Sequence, residues 1–331
     1  MATEPTNKFY TPAQTASVLV NMIAEGSFLS ALVSRNFEND LLGGGGKGRV
    51  VNLKLPNGLV AHSRDVDDVT NKIILDRLEE KTIPLTLGKH VYNAVGLSEG
   101  ELNLDLSNFS EQVLSKQAEA VVADLEHEVR KAFMAEAYDT AVAWNPDAPE
   151  KSFTRIRKAL RDRGLAQAGL VTIVGSEVYA QLLDAKAIVD VSQSGSTEAL
   201  KEGNVGKLRG FTIAEDAELP EGDIVAFHRD AVTLATRAPA VPRGAANGAM
   251  ITERGFQLRH IMDYDTDVTQ DRSLVSTFAG VAKLPVYKTS RIHDTGMQGD
   301  ADFTVGEFVV QEQAGGGIFR MSITDAEPAG A

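Results

Sequence analysis

The stretch GNVGKLRGFTIAEDAELPEGDIVAFHRDAVTLATRAP, residues 203–239, packs three β-forming runs close together. FTIAED (211–216) and DIVAFH (223–228) flank the turn LPEG (219–222) and read as a hairpin. VTLATR (232–237) reads as another strand. The glycines ahead of them spell G-x-x-G-K-x-x-G, not the G-x-G-x-x-G of a dinucleotide loop. They also precede a strand, where such a loop follows one. Immediately upstream lies an α/β pattern. Ser152 is placed to cap a helix running to Arg163, and Gly164 to end it. LVTIV (170–174) has the apolar run of a buried strand, and Ser176 caps the helix EVYAQLLDA (177–185). SQSGSTEALKEGN (192–204) is a loop by composition.

Working outward, SNFSEQVLSKQAEAVVADLEHEVRKAFMAEA (107–137) is the clearest helix. Leu114, Ala118, Val121, Val122, Leu125, Val129 and Phe133 recur at three and four, with Glu126 and most other charges set elsewhere. It predicts a spine of about 45 Å. ITERGFQLRHIMDYD (251–265) and SLVSTFAGVAKLPVY (273–287) read as a strand pair returning to that spine. Near the N-terminus, Val18, Leu19, Met22 and Ile23 form one apolar stripe. Gly26 stops that helix, and Ser27 is placed to cap a second one carrying Phe28, Leu29, Leu32 and Val33. This arm has to dock its stripe on something.

Between arm and spine lies LLGGGGKGRVV (41–51). A phosphate loop needs G-x-x-x-x-G-K-[S/T]. Leu41 stands where the first glycine belongs and Gly48 where the hydroxyl belongs, so Gly43, Gly44, Gly45, Gly46 and Gly48 read as a hinge. VVNLKL (50–55) then alternates strictly, Pro56-Asn57-Gly58 gives a turn signal, and KTIPLTL (81–87) offers a partner strand. Residues 48–95 thus read as a two-stranded excursion without a core of its own, which is marginal in water. Such a segment folds back on its own domain or lies over a neighbouring subunit.

The chain has 331 residues, more than one core usually holds, so two or more lobes are expected. It contains no cysteine, which removes disulfides, thiolate metal sites and cysteine nucleophiles together. No apolar run approaches a membrane span and the N-terminus lacks a signal-peptide pattern, so a soluble cytoplasmic product is expected. Net charge is −13 with no basic cluster, which argues against a nucleic-acid grip. Residues 294–331 hold seven acids and one base, Arg320, and read as an acidic appendage in which 303–310 and 318–323 form a small hairpin around three glycines.

Chemistry is sparse. Asp263, Asp265, Asp267 and Asp271 begin like a calcium loop, but Val268 and Leu274 occupy its required Gly and Glu positions. No two of the six histidines stand at metal-ligand spacing, and no G-x-S-x-G elbow exists. No catalytic, cofactor-binding or metal residue is expected, and no enzyme.

The order of parts resembles the major capsid protein of tailed bacteriophages, the Hong Kong 97 fold. Two stretches carry the likeness: residues 203–239, similar to the family's G-x-x-G-x-x-x-G-F segment with its turn and following strand, and QLRHIMDYDTDVTQDRSLVSTFAGVAKL (257–284), similar to its return strands. The likeness spans about residues 1–290. It implies an α+β capsid subunit: an N-terminal arm with its hinge (1–47), an extended β-hairpin loop (48–104), a peripheral-domain spine helix (105–143), an axial domain (144–250), peripheral return strands (251–293) and the acidic extension (294–331). The arm would clasp one neighbour and the loop another, through Pro56, Asn57, Gly58, Arg64, Asp65, Asp67 and Asp68. The glycines would let one sequence take different arm angles in pentamers and hexamers.

The implied function is a structural coat protein of an icosahedral head around double-stranded DNA. Its implied partners are itself, a portal, and a separate scaffolding or decoration protein, with no membrane and no sequence-specific DNA contact. The implied location is the virion, assembled in the host bacterial cytoplasm. An encapsulin-like cellular nanocompartment shell is the alternative, and a soluble α/β enzyme the remote one. Some family members form a Lys–Asn isopeptide bond. The last asparagine here is Asn247, ahead of the expected return strands, so no such cross-link is expected.

Overall fold

The computed structural model describes residues 12–35, 49–56, 66–67, 69, 80–98, 110–185, 207–245, 247–253, 256–265, 270–291, 308–313 and 315–323. It is a mixed α/β structure with several sheets, and the chain divides into two compact units. The first comprises Met1–Val51, Pro84–Ala132 and Thr233–Ala282; the second comprises Asn52–Ile83, Phe133–Val232 and Lys283–Ala331.

The first unit is built on a sheet of β3 (Lys89–Ser98), β11 (Gln270–Lys283), β10 (Phe256–Asp265) and β9 (Asn247–Glu253) in that order, with β8 (Val232–Arg237) also on β11. All three pairs along that order are antiparallel. One face carries α1 (Pro12–Gly26) and α3 (Ser115–Met134), the latter preceded by a single π-helical turn at Ser110–Leu114. The seam is apolar: Leu19, Val20 and Ile23 from α1, Val121, Val122 and Leu125 from α3, and Val91, Leu258 and Val275 from the sheet. Each such side chain, fully buried, contributes about 1.5–3 kcal/mol.

Four expectations change here. The helical stripe is right, but the α-helix is 20 residues, about 30 Å. The excursion 48–104 contains β3, which pairs with β11 over ten positions and so belongs to the sheet. Residues 251–265 are not one strand, because β9 and β10 are separate and pair with each other. Asn247 opens β9, so the return sheet does carry an asparagine.

Across this seam runs a polar relay. Gln117 on α3 donates from Nε2 to the Ser273 carbonyl (3.0 Å) and accepts from Ser273 Oγ (2.8 Å). Ser273 Oγ lies 3.0 Å from His260 Nε2. Since Oγ spends its proton on Gln117, His260 is the donor to it and is held as the neutral Nε2–H tautomer. Burial lowers its pKa to about 4.

The second unit holds a sheet in the order β14 (Ile318–Ser322), β7 (Asp223–His228), β4 (Leu170–Val174), β6 (Phe211–Glu215), β5 (Lys207–Leu208). Every residue of β4 is buried. It runs parallel to β6 and antiparallel to β7. The runs 211–216 and 223–228 are therefore not a hairpin, because the apolar β4 inserts between them. α4 (Pro149–Asp162) and α5 (Ser176–Asp184) bury Phe153, Ile156, Leu160, Val178 and Leu182 against this sheet, with Trp144 and Phe211 flanking Phe153 at 6.0 Å.

Ser152 lies inside α4 and does not cap it. The helix starts at Pro149, and Ser152 Oγ accepts from the Asn145 amide (3.0 Å) to hold the incoming loop. Gly164, at φ 93°, does end it.

The largest departure concerns the acidic C-terminal region. Its two strands do not pair with each other. β13 (Phe308–Glu312) pairs with β12 (Tyr287–Arg291), while β14 pairs with β7 and is buried along its length. The one base of that region explains this. Arg320, 7% exposed, reaches Asp223, 1% exposed, from Nε (3.2 Å) and Nη2 (2.8 Å). It also donates to the carbonyls of Met134 (2.7 Å) and Glu136 (3.0 Å) and to the Tyr138 hydroxyl (2.8 Å). Residues 318–322 are core, not appendage.

Two outcomes are expected. Replacing Arg320 with Ala strands the buried Asp223 carboxylate and destabilises the second unit by about 3–5 kcal/mol in urea titration, with Arg320→Ala plus Asp223→Ala costing less than the sum of the single changes. His260 is pushed below its unfolded value, so the unfolded chain binds the extra proton. Stability is complete above about pH 6.5 and falls by about 3 kcal/mol as pH drops to 4. His260→Gln, assayed over the same series, removes that part of the acid slope.

Candidate assembly surfaces

The arm is the first candidate surface, and its described part folds on its own chain. α1 lies on β9 and β10 in the first unit's core. The next helix, α2 (Leu29–Leu32), has only four residues and no side-chain cap of its own. Ser27, the expected cap, instead donates back to the Ala24 carbonyl (3.2 Å). The cap comes from α3. The Glu126 carboxylate accepts from the amides of Phe28 (3.0 Å), Leu29 (2.5 Å) and Ser30 (3.0 Å) and from Ser30 Oγ (2.9 Å). A negative group at a helix start meets both the free amides and the dipole. Glu126, expected off the apolar stripe, is 8% exposed.

Beyond α2 the chain stays attached. The Ser34 carbonyl accepts from the Leu234 amide and from Thr233 Oγ1, both at 3.1 Å, and the Arg35 guanidinium stacks 3.5 Å above the Phe256 ring. Residues 12–35 therefore dock on their own subunit. The hinge glycines Gly43, Gly44, Gly45, Gly46 and Gly48 lie outside the described residues.

The second surface is the expected loop. β1 (Val50–Pro56) and β2 (Glu80–Thr86) form a two-stranded sheet of their own. Leu53 and Leu85 are buried, while Asn52 and Lys54 are exposed, as the alternation requires. The base of the loop is wedged on the first unit's sheet: a Cβ at Gly280 would stand 2.5 Å from the Thr86 carbonyl oxygen. Pro56 is the last residue of β1. Asn57, Gly58, Arg64, Asp65 and Asp68 lie outside the described residues. Asp67 is exposed between Val66 and Val69, which are 97% and 95% exposed.

A third surface went unnoticed in the sequence. On the sheet face away from α1 and α3, a cleft of about 740 Å³ is lined by Arg49, Lys89, His90, Arg237, Met250 and Gln257, among others, with no carboxylate among the described lining residues. Burial, and then the charge of Arg259, hold the His90 pKa below its ordinary value.

The aspartate run has a plain use. Arg272 on β11 bonds Asp263 on β10 through Nε (3.1 Å) and Nη2 (2.5 Å), a forked cross-strand pair. Among the described residues, no group of three His, Asp or Glu could hold a metal ion. Among them, too, no helix is long and apolar enough to cross a membrane.

No protein-family model matches the sequence, and no curated protein matches it. Solved structures do. One from Mycobacterium phage Che8 aligns at TM-score 0.54 and 15% identity, covering 86% of this chain and 92% of that one. The capsid of Ralstonia phage GP4 aligns at TM-score 0.50 and 10% identity, covering 86% of each. The fold is that of a phage capsid protein. A virus-like particle from Pyrococcus furiosus aligns at TM-score 0.45 and 16% identity, over 82% of this chain and 93% of that one.

Replacing Glu126 with Ala leaves three amides without their acceptor. The expected cost is about 2–4 kcal/mol in chemical denaturation, with faster hydrogen exchange at Phe28–Ser30 and milder effects for Glu126→Gln.

Proposed function

We propose that this chain is the structural coat protein of an icosahedral phage head, assembling as pentamers and hexamers around double-stranded DNA. The observation that carries this reading is the length of the correspondence with the two phage structures. It runs through 86% of the chain at TM-scores of 0.54 and 0.50, and leaves little of either structure unmatched. In this reading α3 is the spine of a peripheral domain, with β9–β11 as its return strands. The second unit's sheet is the axial domain that meets its copies around the symmetry axes. β1 and β2 are the base of the extended loop, with Pro56, Asn57, Gly58, Arg64, Asp65, Asp67 and Asp68 reaching a neighbour. The nearly full exposure of Val66 and Val69 supports that last role, because apolar side chains on a loop tip gain from being covered.

Gly43–Gly46 and Gly48 act as the swivel that lets one sequence serve in rings of five and six. The net charge of −13 suits a shell around DNA, since a strongly anionic wall does not hold packaged phosphates. The partners are further copies of the chain, a portal, and a separate scaffolding or decoration protein. The work is mechanical and not catalytic. The location is the virion, after assembly in the host cytoplasm.

Expression of the chain with its neighbouring head genes, followed by negative-stain electron microscopy and sedimentation, tests the reading. Closed shells or hexagonal sheets are expected. A chain that stays monomeric in that co-expression overturns it. Shells that enclose an enzyme and no nucleic acid replace it with the nanocompartment.

A further inference from the structure

The cationic cleft has donors that its own surroundings leave unused. Gln257 lines it and is 5% exposed, yet its Nε2 meets no acceptor among the described residues. A buried amide of this kind is costly unless something supplies the bond. Arg259, 9% exposed, stands on the same sheet face, since neighbouring residues of one strand alternate and Gln257 lies two away. Its guanidinium bonds only neutral groups, Ser276 Oγ (3.1 Å) and the carbonyl of Ala240 (2.7 Å), which itself lines the cleft. Arg49, Lys89 and Arg237 stand around the rim; Lys89 lies 3.2 Å from Glu128, and Arg237 also has an interaction of its own. Met250, 53% exposed, and Phe278 provide apolar wall. The arrangement fits a segment bearing carboxylates and at least one large apolar side chain.

Three acidic stretches lying largely outside the described residues compete for the role. Residues 99–109 hold Glu99, Glu101 and Asp105 with no lysine or arginine. Residues 57–79 hold five acids (Asp65, Asp67, Asp68, Asp76, Glu79) against three bases (Arg64, Lys72, Arg77). Residues 294–307 hold Asp294, Asp300, Asp302 and Glu307 with no lysine or arginine, and set Phe303 and Val305 among them. Charge selects the last, whose four acids with no base outnumber the three of 99–109 and the net two of 57–79. A DNA backbone fits less well, because its regular phosphates call for a row of cations rather than one pocket with a buried amide donor.

We propose that the cleft seats the acidic segment 294–307 of a neighbouring copy, with its carboxylates on Gln257, Arg49 and Arg237 and Phe303 against Met250 and Phe278. This inference rests on the coat-protein reading and names the contact through which one copy recognises the next.

The chain has no cysteine, so single thiols can be placed without background. A tagged Thr252→Cys chain and an untagged Thr304→Cys chain are co-assembled, checked by electron microscopy and oxidised. The expected product is a mixed disulfide dimer. Its yield should fall at least fivefold when the first chain also carries Arg49→Ala and Arg237→Ala, and similarly in 0.5 M salt. Particles without the mixed dimer overturn the inference and leave the coat-protein reading standing. So does a dimer that forms with Val69→Cys in place of Thr304→Cys, which assigns the cleft to the loop. A disulfide found only within one chain carrying both thiols also overturns it, as does suppression by an added DNA duplex. If no particles form, both readings fall together.

Discussion

A carboxylate taken out of water must be surrounded by donors or it will not stay charged and buried. Glu126 meets that condition by gathering three consecutive amides and one hydroxyl from a four-residue helix nearly a hundred positions away. Neither partner stands well alone. α2 is too short to hold itself, because one turn of helix fixes several torsions for very few bonds. The carboxylate without the amides would be an unpaired charge against the core. Each supplies what the other lacks, and the bond fixes where the arm ends and the rest of the chain begins. With α2 in place, Ser34 is delivered to Thr233 and Arg35 to Phe256.

The second unit repeats the device with the signs reversed. Arg320 brings a cation into the core and is met by Asp223, a phenol and two carbonyls. A buried ion pair is a weak source of stability in itself, but it is an exacting specifier of position, since a strand slipped by one residue leaves two charges stranded. β14 is a five-residue edge strand at the end of a long acidic stretch, and the core positions of Phe319 and Met321 set its register together with Arg320. In both units, a chain terminus is anchored by a single charged side chain that its local sequence does not explain.

That pattern marks the limit of what could be read from sequence. Periodicity reported the α3 stripe, the buried run LVTIV and the alternation in β1, because each is a local consequence of one element having one apolar face. Gly164 was legible for the same local reason. The pairings were not. Nothing in FTIAED or DIVAFH says that LVTIV will lie between them, since a strand's neighbours are chosen by non-local contacts. β3 was hidden because its inner row, Val91, Asn93, Val95 and Leu97, is broken by an asparagine whose carbonyl serves Gln117. Glu126 and Arg320 were invisible for a related reason. A charge reads as solvated until its distant donors or acceptors are known. The cleft lay further still from view, because Arg49, Lys89, Arg237 and Gln257 come together only when β3, β8 and β10 share a sheet.

This contrast bears on how such a chain assembles. Within the first unit, Gln117, Ser273 and His260 at the α3 seam spend their bonds on one another, while Asn93 Oδ1 in the same row finds no partner among the described residues. On the opposite face of the same sheet, Gln257 Nε2 has no acceptor among the described residues. A protein that completes itself alone gains nothing by keeping such groups buried. A subunit does, because an acceptor arriving from outside then meets donors already desolvated and held in place, and little ordering remains to oppose the contact.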